Sequence, residues 1–403
     1  MKSLLKSIFS FIKKEIVFCV ASLCAAVSAF FVPPSKAYVS YIDWNTLFIL
    51  FALMGVVGAF RSCGIFNRMG ASLCKRFHTE RGLCSVMVAL CFFSSMLLTN
   101  DVALLTFVPF AITLLSHVTD GKTILYTVVL QTLAANCGSM LTPLGNPQNL
   151  FLFQQMSTGL TDFVKVTLPY TALSAAFLFF ALLKIPSRTI LVKAHSSTSQ
   201  SSQESEDNTD NKTDEKKNVS RKSLLAKEII FALLFIYCIL CVLRLLPKWS
   251  AAILVFIMLL VFDRKSLLNI DYMLLLTFCA FFIFTGNIAS LEGIKEALTS
   301  RVQGHEFLTS VLVSQVISNV PATLLLFPFT QNTSALLAGV NAGGMGTLVA
   351  SLASLISYKI YSASRQKLLL PSQVKYLGVF TVMNLLALFT MCILRVLLQL
   401  QLQ

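Results

Sequence analysis

Long stretches of this chain carry almost no charge, and two of them hold polar residues near their middle. Leu83–Ser116 has one formal charge, Asp101, and Phe307–Tyr358 has none. Trp44–Phe60 and Thr123–Thr161 are likewise uncharged. Apolar runs of about 17 residues or more reach across a bilayer core roughly 30 Å thick. Hydrophobic residues make up 56% of the chain and charged residues 12%, whereas soluble domains carry roughly 25% charged residues. The chain therefore reads as an all-α, polytopic integral membrane protein. Hydrocarbon offers no partner to Asn, Ser, Thr or free backbone groups, so those at mid-depth need protein, water or a bound ion.

The net charge of +14 belongs to this picture. Basic residues fall in short loops, as expected on the cytoplasmic side, and no basic face with interleaved aromatics points to nucleic acid. The 11 cysteines are scattered through apolar runs. Cys238 and Cys241 form a C-x-x-C, but with no second pair at metal spacing. His78, His117, His195 and His305 are far apart. With no nucleophile–base or zinc constellation, the chain is not expected to be an enzyme, and no metal is expected beyond Na⁺.

Lys2, Lys6, Lys13 and Lys14 precede the apolar segment Glu15–Val32, which ends at Pro33-Pro34. It reads as a retained first helix with a cytoplasmic N-terminus. The alternative is a signal peptide with a small-residue site at Ser35-Lys36-Ala37. Trp44–Phe60 is the next span. Gly64–Phe77 mixes basic and apolar residues as an interfacial helix would. Leu83–Ser116 fits a re-entrant hairpin that turns at Thr99-Asn100-Asp101. Thr123–Met156 is a span interrupted at Asn136-Cys137-Gly138 and at Pro143-Leu144-Gly145-Asn146-Pro147. Phe163–Leu183 crosses back.

Ala194–Ser223 is polar, with acidic and basic residues that nearly cancel, and reads as a disordered cytoplasmic linker. It divides residues 1–193 from residues 224–403. The second half offers spans at Glu228–Leu246, Ala251–Phe262 and Tyr272–Ala289. A hairpin over Phe307–Phe329, an interrupted span over Thr333–Ile360 and a last crossing at Val374–Leu394 follow, leaving the C-terminus outside.

The halves echo each other in order. Asp43-Trp44 pairs with Asp271-Tyr272, and Ser95…Thr99-Asn100 with Ser314…Ser318-Asn319. Pro109-Phe110 pairs with Pro328-Phe329, and Asn136-x-Gly-x-Met140-x-Thr142 with Asn341-x-Gly-x-Met345-x-Thr347. The loop after Phe60 is basic and the loop after Ala289 is not, so the halves are expected in opposite orientations. Inverted repeats with interrupted helices are the architecture of secondary transporters, with the site at the midplane. Asn amides, hydroxyls and freed carbonyls are hard oxygen ligands suited to Na⁺. Asp101, the one carboxylate at depth, can balance a cation or carry a proton.

On these residues the chain resembles the ion transporter superfamily, specifically the divalent anion:sodium symporters and citrate-transporter-like permeases, with arsenite-efflux permeases related. The carriers are Ser-x-x-x-Thr-Asn-Asp ending at Asp101, Leu144-Gly145-Asn146-Pro147-Gln148-Asn149, Ser-x-x-x-Ser-Asn-Val ending at Val320, and Asn341-Ala-Gly-Gly-Met-Gly-Thr-Leu-Val-Ala-Ser351. The resemblance implies a first Na⁺ site at Ser95, Thr99, Asn100 and Gly145, and a second at Ser314, Ser318, Asn319 and Ala350. It places substrate at Asn100, Asp101, Asn146, Asn319 and Ser351. It also implies a homodimer in the plasma membrane working as an elevator. Where the symporters carry Thr after each Asn, this chain has Asp101 and Val320. The expected function is secondary transport of a small anion, such as citrate, succinate or an inorganic oxyanion, coupled to Na⁺ or H⁺. The alternative is an arsenite-type efflux permease or Na⁺/H⁺ antiporter using Asp101 as its carrier.

Overall fold

The computed structural model describes residues 11, 15–74, 76–156, 159–189 and 210–401. All named elements among the described residues are helices, with one isolated bridge between Thr79 and Thr189. Before the polar segment the helices are α1 Ile16–Phe31, α2 Ala37–Tyr41, α3 Trp44–Ser62, α4 Ile65–Cys74, α5 Glu80–Leu97, α6 Asn100–Leu115, α7 Gly121–Ser139, α8 Pro147–Gln155 and α9 Leu160–Leu182. After it come α10 Asp210–Val242, α11 Lys248–Phe262, α12 Arg264–Leu268, α13 Tyr272–Ser290, α14 Glu292–Val302, α15 Glu306–Ile317, α16 Asn319–Leu326, a short 3₁₀ turn at Phe327–Phe329, α17 Thr333–Gly343, α18 Leu352–Leu368 and α19 Gln373–Leu400.

Among the described residues, six helical stretches are long and apolar enough to cross a membrane: Trp44–Ser62, Glu80–Leu97, Leu160–Leu182, Leu224–Val242, Arg264–Ser290 and Gln373–Leu400. Shorter apolar helices accompany them at Ile16–Phe31, Asn100–Leu115, Lys248–Phe262, Glu306–Ile317 and Asn319–Phe329. The chain is a multi-pass membrane protein. Its outward faces carry exposed Phe179, Phe180, Phe389 and Leu397, side chains that suit hydrocarbon.

Two expectations need correcting. The helix runs unbroken through Asn136, Cys137 and Gly138 to Ser139, so the first interrupted span has one break, residues 140–146. The reason is local: Gly138 has no side chain and lets the helix lie against the Phe92 carbonyl, so glycine here serves close packing and not unwinding. The second correction is that the helix preceding Val242 begins at Asp210, inside the segment read as a linker. Residues 190–209 of that segment lie outside the described residues.

The first helix is held at depth by a polar contact. Asn287 of α13 donates to Ser28 Oγ (3.0 Å) and to the Tyr38 hydroxyl (2.8 Å). Asp43 and Asp271 cap α3 and α13 by accepting from the backbone of Thr46 and Leu274. These two helices run in opposite directions. The start of α3 (Asp43, Trp44) shares a cleft with the far end of α13 (Phe282, Thr285, Gly286). The end of α3 (Gly58, Arg61, Ser62) shares a second cleft with the start of α13 (Asp271, Leu274).

Buried apolar residues form two clusters. One holds the α5–α6 hairpin with α7, α9 and α19, including Met87, Leu104, Val128 and Phe380. The other holds α3, α8, α10, α11 and α13, including Leu50, Phe151, Phe231 and Phe278. Each interrupted helix joins the two clusters. From α7 to α8 the buried residues pass from Leu130 and Leu133 in the first to Leu150 and Phe151 in the second. α17 gives Leu336 and Val340 to the second and Ala338 and Ala342 to the first, which α18 continues with Ala353 and Tyr361.

A Cβ at Gly138 would lie 2.0 Å from the Phe92 carbonyl oxygen and 2.6 Å from Ser95 Oγ. Gly138→Ala is expected to push α5 from α7 and cost about 2–3 kcal/mol, read as a fall in the detergent-solubilised melting temperature. Gly378→Ala, where nothing lies within 4 Å, is expected to leave it unchanged or slightly raised.

Candidate functional site

The two hairpin tips and the two helix breaks meet through a matched pair of backbone hydrogen bonds. Asn100 N–H donates to the Gly145 carbonyl at 3.0 Å, and Asn319 N–H donates to the Ala350 carbonyl at 2.9 Å. A second pair lies beside it. Thr142 Oγ1 donates to the Met96 carbonyl, and Thr347 Oγ1 donates to the Gln315 carbonyl at 3.0 Å. Each hairpin tip is thus sewn to the break that follows it in sequence.

Opening a helix in an apolar medium strands its carbonyls, and leaving a buried polar group unmet costs about 1–3 kcal/mol. Amide side chains close that deficit. Asn149 Nδ2 reaches the carbonyls of Ser139 (3.1 Å), Met140 (3.1 Å) and Thr142 (3.2 Å). At the other break Gln315 Nε2 reaches the carbonyls of Gly343 (2.9 Å) and Met345 (3.0 Å), while its Oε1 accepts from Thr347 N–H (2.9 Å). Gly145 packs so tightly that a Cβ would lie 2.1 Å from the Ser139 carbonyl oxygen.

The site residues expected from sequence divide into those the fold gathers and those it holds apart. Asn100, Gly145, Asn319 and Ala350 are joined as described. Asn146 caps α8 by accepting from Asn149 N–H (2.9 Å) and donates to Ser139 Oγ (3.2 Å) and Asn341 Oδ1 (3.3 Å). Ser351, first residue before α18, donates to Asn136 Oδ1 (3.1 Å). Ser318 Oγ donates to the Ala350 carbonyl (3.3 Å). Ser95 and Ser314 are fully buried, and each donates its hydroxyl to its own helix, to Phe92 O (2.9 Å) and Ser310 O (2.6 Å). Ser95 lies against Gly138 and Ser314 against Gly343. Their oxygen lone pairs stay free to act as ligands.

Thr99 and Asp101 face the second cleft, of about 710 Å³, with Arg61, Lys265, Asp271 and Pro147 on its walls. Among the described residues no ion pair is recorded for the Asp101 carboxylate. Val320, its counterpart in the other hairpin, is buried in the second apolar cluster. At the cleft's edge, burial pushes the Asp263 carboxyl up, but hydrogen bonds from Ser62 and Ser266 outweigh it and hold the group below the usual carboxylate range.

Sequence reading left Asn136, Asn149, Asn341, Ser354 and Gln315 out of the site. Asn136 Oδ1 accepts from Asn100 Nδ2 at 3.0 Å, and its own Nδ2 donates to Ser354 Oγ at 3.3 Å. Asn341 Nδ2 donates to Asn149 Oδ1 at 2.7 Å. The signal was present, since Asn136 and Asn341 match between the halves and sit in charge-free runs, where an amide needs a partner.

Ser318 has φ 76° and ψ 154°, a backbone region that is close to glycine-only. Ser318→Gly relieves that strain, while Ser318→Ala keeps the strain and loses the hydroxyl. The glycine variant is expected to be more stable than the alanine variant by about 1 kcal/mol, measured by thermal unfolding in detergent.

Comparison with known proteins gives a coherent result. The model of the citrate transporter family matches residues 8–353. Inner membrane protein YbiR of Escherichia coli is 30% identical over 344 residues, 84% of this chain and 85% of the relative. An uncharacterized transporter of Methanocaldococcus jannaschii is 31% identical over 329 residues, 79% of this chain and 81% of the relative. A silicon efflux transporter of rice is 32% identical over 133 residues, 33% of this chain and 27% of the relative. The helix breaks lie within the matched residues, and the chain belongs to the citrate transporter (CitMHS) family of membrane transporters.

Proposed function

We propose that this chain is a secondary active transporter that carries a small oxygen-rich acid past Asn100 and Asn319, with Asp101 taking the coupling cation, Na⁺ or a proton. The observation that carries this is the charge of the site. Asp101 is the one ionisable side chain among the expected site residues, and it faces an open cleft. Among the described residues, no Lys, Arg or His hydrogen-bonds to the network around Asn100, Asn136, Asn146, Asn341 and Ser351.

A fixed negative charge at membrane depth is costly without a partner. A cation entering the cleft supplies one. The carboxamides and hydroxyls then recognise solute oxygens by hydrogen bonding, without net charge. A di- or tricarboxylate such as citrate, the solute for which the family is named, fits with its charge offset by bound cations at the two sets of oxygen ligands. A second reading is an efflux permease or antiporter in which Asp101 cycles a proton. It is favoured by the carboxylate beside Asn100, which repels an anionic solute, and by the rice relative named for silicon efflux.

Several features support a site shared by two inverted repeats. α3 and α13 run in opposite directions, the tip-to-break hydrogen bonds come in pairs, and the same element order occurs twice. With Arg61 and Lys265 on its walls, the Asp101 cleft faces the cytoplasm by the positive-inside rule. The same rule favours an N-terminus inside, a C-terminus outside and two hairpins that enter from opposite sides. Elevator movement and a homodimer follow from the family resemblance.

The test is solute flux in liposomes holding the purified protein, with Na⁺ and pH gradients imposed separately. Labelled citrate, succinate or silicic acid is expected to accumulate roughly tenfold or more above equilibrium under one gradient. Asp101→Asn is expected to abolish gradient-driven accumulation while sparing solute exchange at equal concentrations. No movement of any of these solutes under either gradient, or unchanged coupling in Asp101→Asn, overturns the proposal.

A further inference from the structure

The two interrupted helices are cross-wired, and a constant sequence offset exposes the pattern. Asn341, Ser351 and Ser354 each stand 205 positions after Asn136, Asn146 and Asn149, respectively. Asn136 lies in the first half but bonds to Ser351 and Ser354 of the second, at 3.1 and 3.3 Å. Asn341 lies in the second half but bonds to Asn146 and Asn149 of the first, at 3.3 and 2.7 Å. Each asparagine therefore holds the residue before the far arm of the other half's broken helix, together with the third residue of that arm.

The contacts are buried on both sides. Asn136 and Asn341 are 5% and 4% exposed, and Asn149 and Ser354 are fully buried. In such surroundings a lost partner leaves a polar group unmet, so these bonds hold their geometry firmly. The two exchanges differ in one respect. Asn136 Oδ1 also accepts from Asn100 Nδ2 (3.0 Å), so it ties the first hairpin tip to the second break. For Asn319, its counterpart, the recorded side-chain bond is a long one from Ser318 Oγ (3.5 Å) to Oδ1, and its Nδ2 has no recorded partner among the described residues.

We propose that Asn136 and Asn341 are positioning residues that couple the two breaks, so that ordering either break by a bound ion or solute prepares the other. A break that closes around a ligand fixes its N-cap residue, Asn146 or Ser351. Through Asn341 or Asn136 that fixes the opposite half as well. The coupling is reciprocal, as any linkage between two binding sites must be. Because Asn136 alone reaches a hairpin tip, its loss disturbs both halves, whereas loss of Asn341 disturbs chiefly the first break. The existence of a bound ion or solute rests on the transport function proposed above; the wiring itself does not.

Hydrogen–deuterium exchange on the purified full-length protein in nanodiscs tests the wiring without any ligand. Asn136→Ala is expected to speed exchange at residues 344–351, in the other half, by roughly five- to tenfold, and Asn341→Ala at residues 140–146 by a similar factor. Asn136→Gln, which keeps the carboxamide, is expected to restore part of the protection. Faster exchange confined to each variant's own break, or spread evenly over the protein, overturns the cross-wiring. The second readout is the Na⁺ and proton dependence of flux in liposomes. Wild type is expected to give a Hill coefficient above one for the coupling ion, and Asn136→Ala to bring it close to one. An unchanged Hill coefficient overturns the coupling role. Crossed exchange without any solute flux leaves the wiring standing and removes the transport proposal instead.

Discussion

Backbone hydrogen bonding in a medium without water governs this structure. A helix that stops inside a membrane strands several donors and acceptors, and each must find a partner within the protein. Among the described residues this chain stops apolar helices at two tips, residues 98–99 and 318, and at two breaks, residues 140–146 and 344–351. It brings the four together so that each supplies what another lacks. Tip amides meet break carbonyls, and side-chain amides of Asn149 and Gln315 take the carbonyls left over. The apolar clusters on either side hold that polar junction in place and are joined by the two helices that pass through it.

The same constraint explains the residue choices. Glycine occurs where backbones must touch, at Gly138 and Gly145 in the first half and at Gly339 and Gly343 in the second. Asparagine occurs where one side chain must donate and accept at once. Serine at position 318 accepts an unfavourable backbone conformation so that its hydroxyl and the next amide can both reach Ala350. Asp101 stands apart from this economy of neutral groups, since it faces the cleft, outside the closed network. No ion pair is recorded for its carboxylate among the described residues, which is why the proposed function gives it a mobile cation.

Much of this was legible in the sequence because it rests on absence of charge. Runs such as Leu83–Ser116 could only be membrane helices, and Asn100 and Asn319 at their centres could only mark turns with a purpose. The break around Gly145 followed from proline and glycine, the second interruption from the match of Asn341–Thr347 with Asn136–Thr142, and Ala350 from the family resemblance alone. Three things were not legible. Gly138 was read as a break because glycine weakens helices in general, whereas its role is set by Phe92 and Ser95 on a neighbouring helix. The roles of Asn136, Asn149, Asn341 and Ser354 depend on which half they touch, and pairing across some two hundred residues leaves no local pattern. The start of α10 at Asp210 likewise ran against composition, since a polar, charge-balanced stretch there continues an apolar helix.

The central claim is that the charge of Asp101 is met by a mobile cation entering the cleft. Charge displacement by the protein in liposomes adsorbed on a solid-supported membrane tests it most directly, with Na⁺ and pH jumps applied separately. The account predicts a transient current on one of the two jumps in wild type, absent in Asp101→Asn at equal protein density. A current of the same size and cation dependence in Asp101→Asn contradicts it.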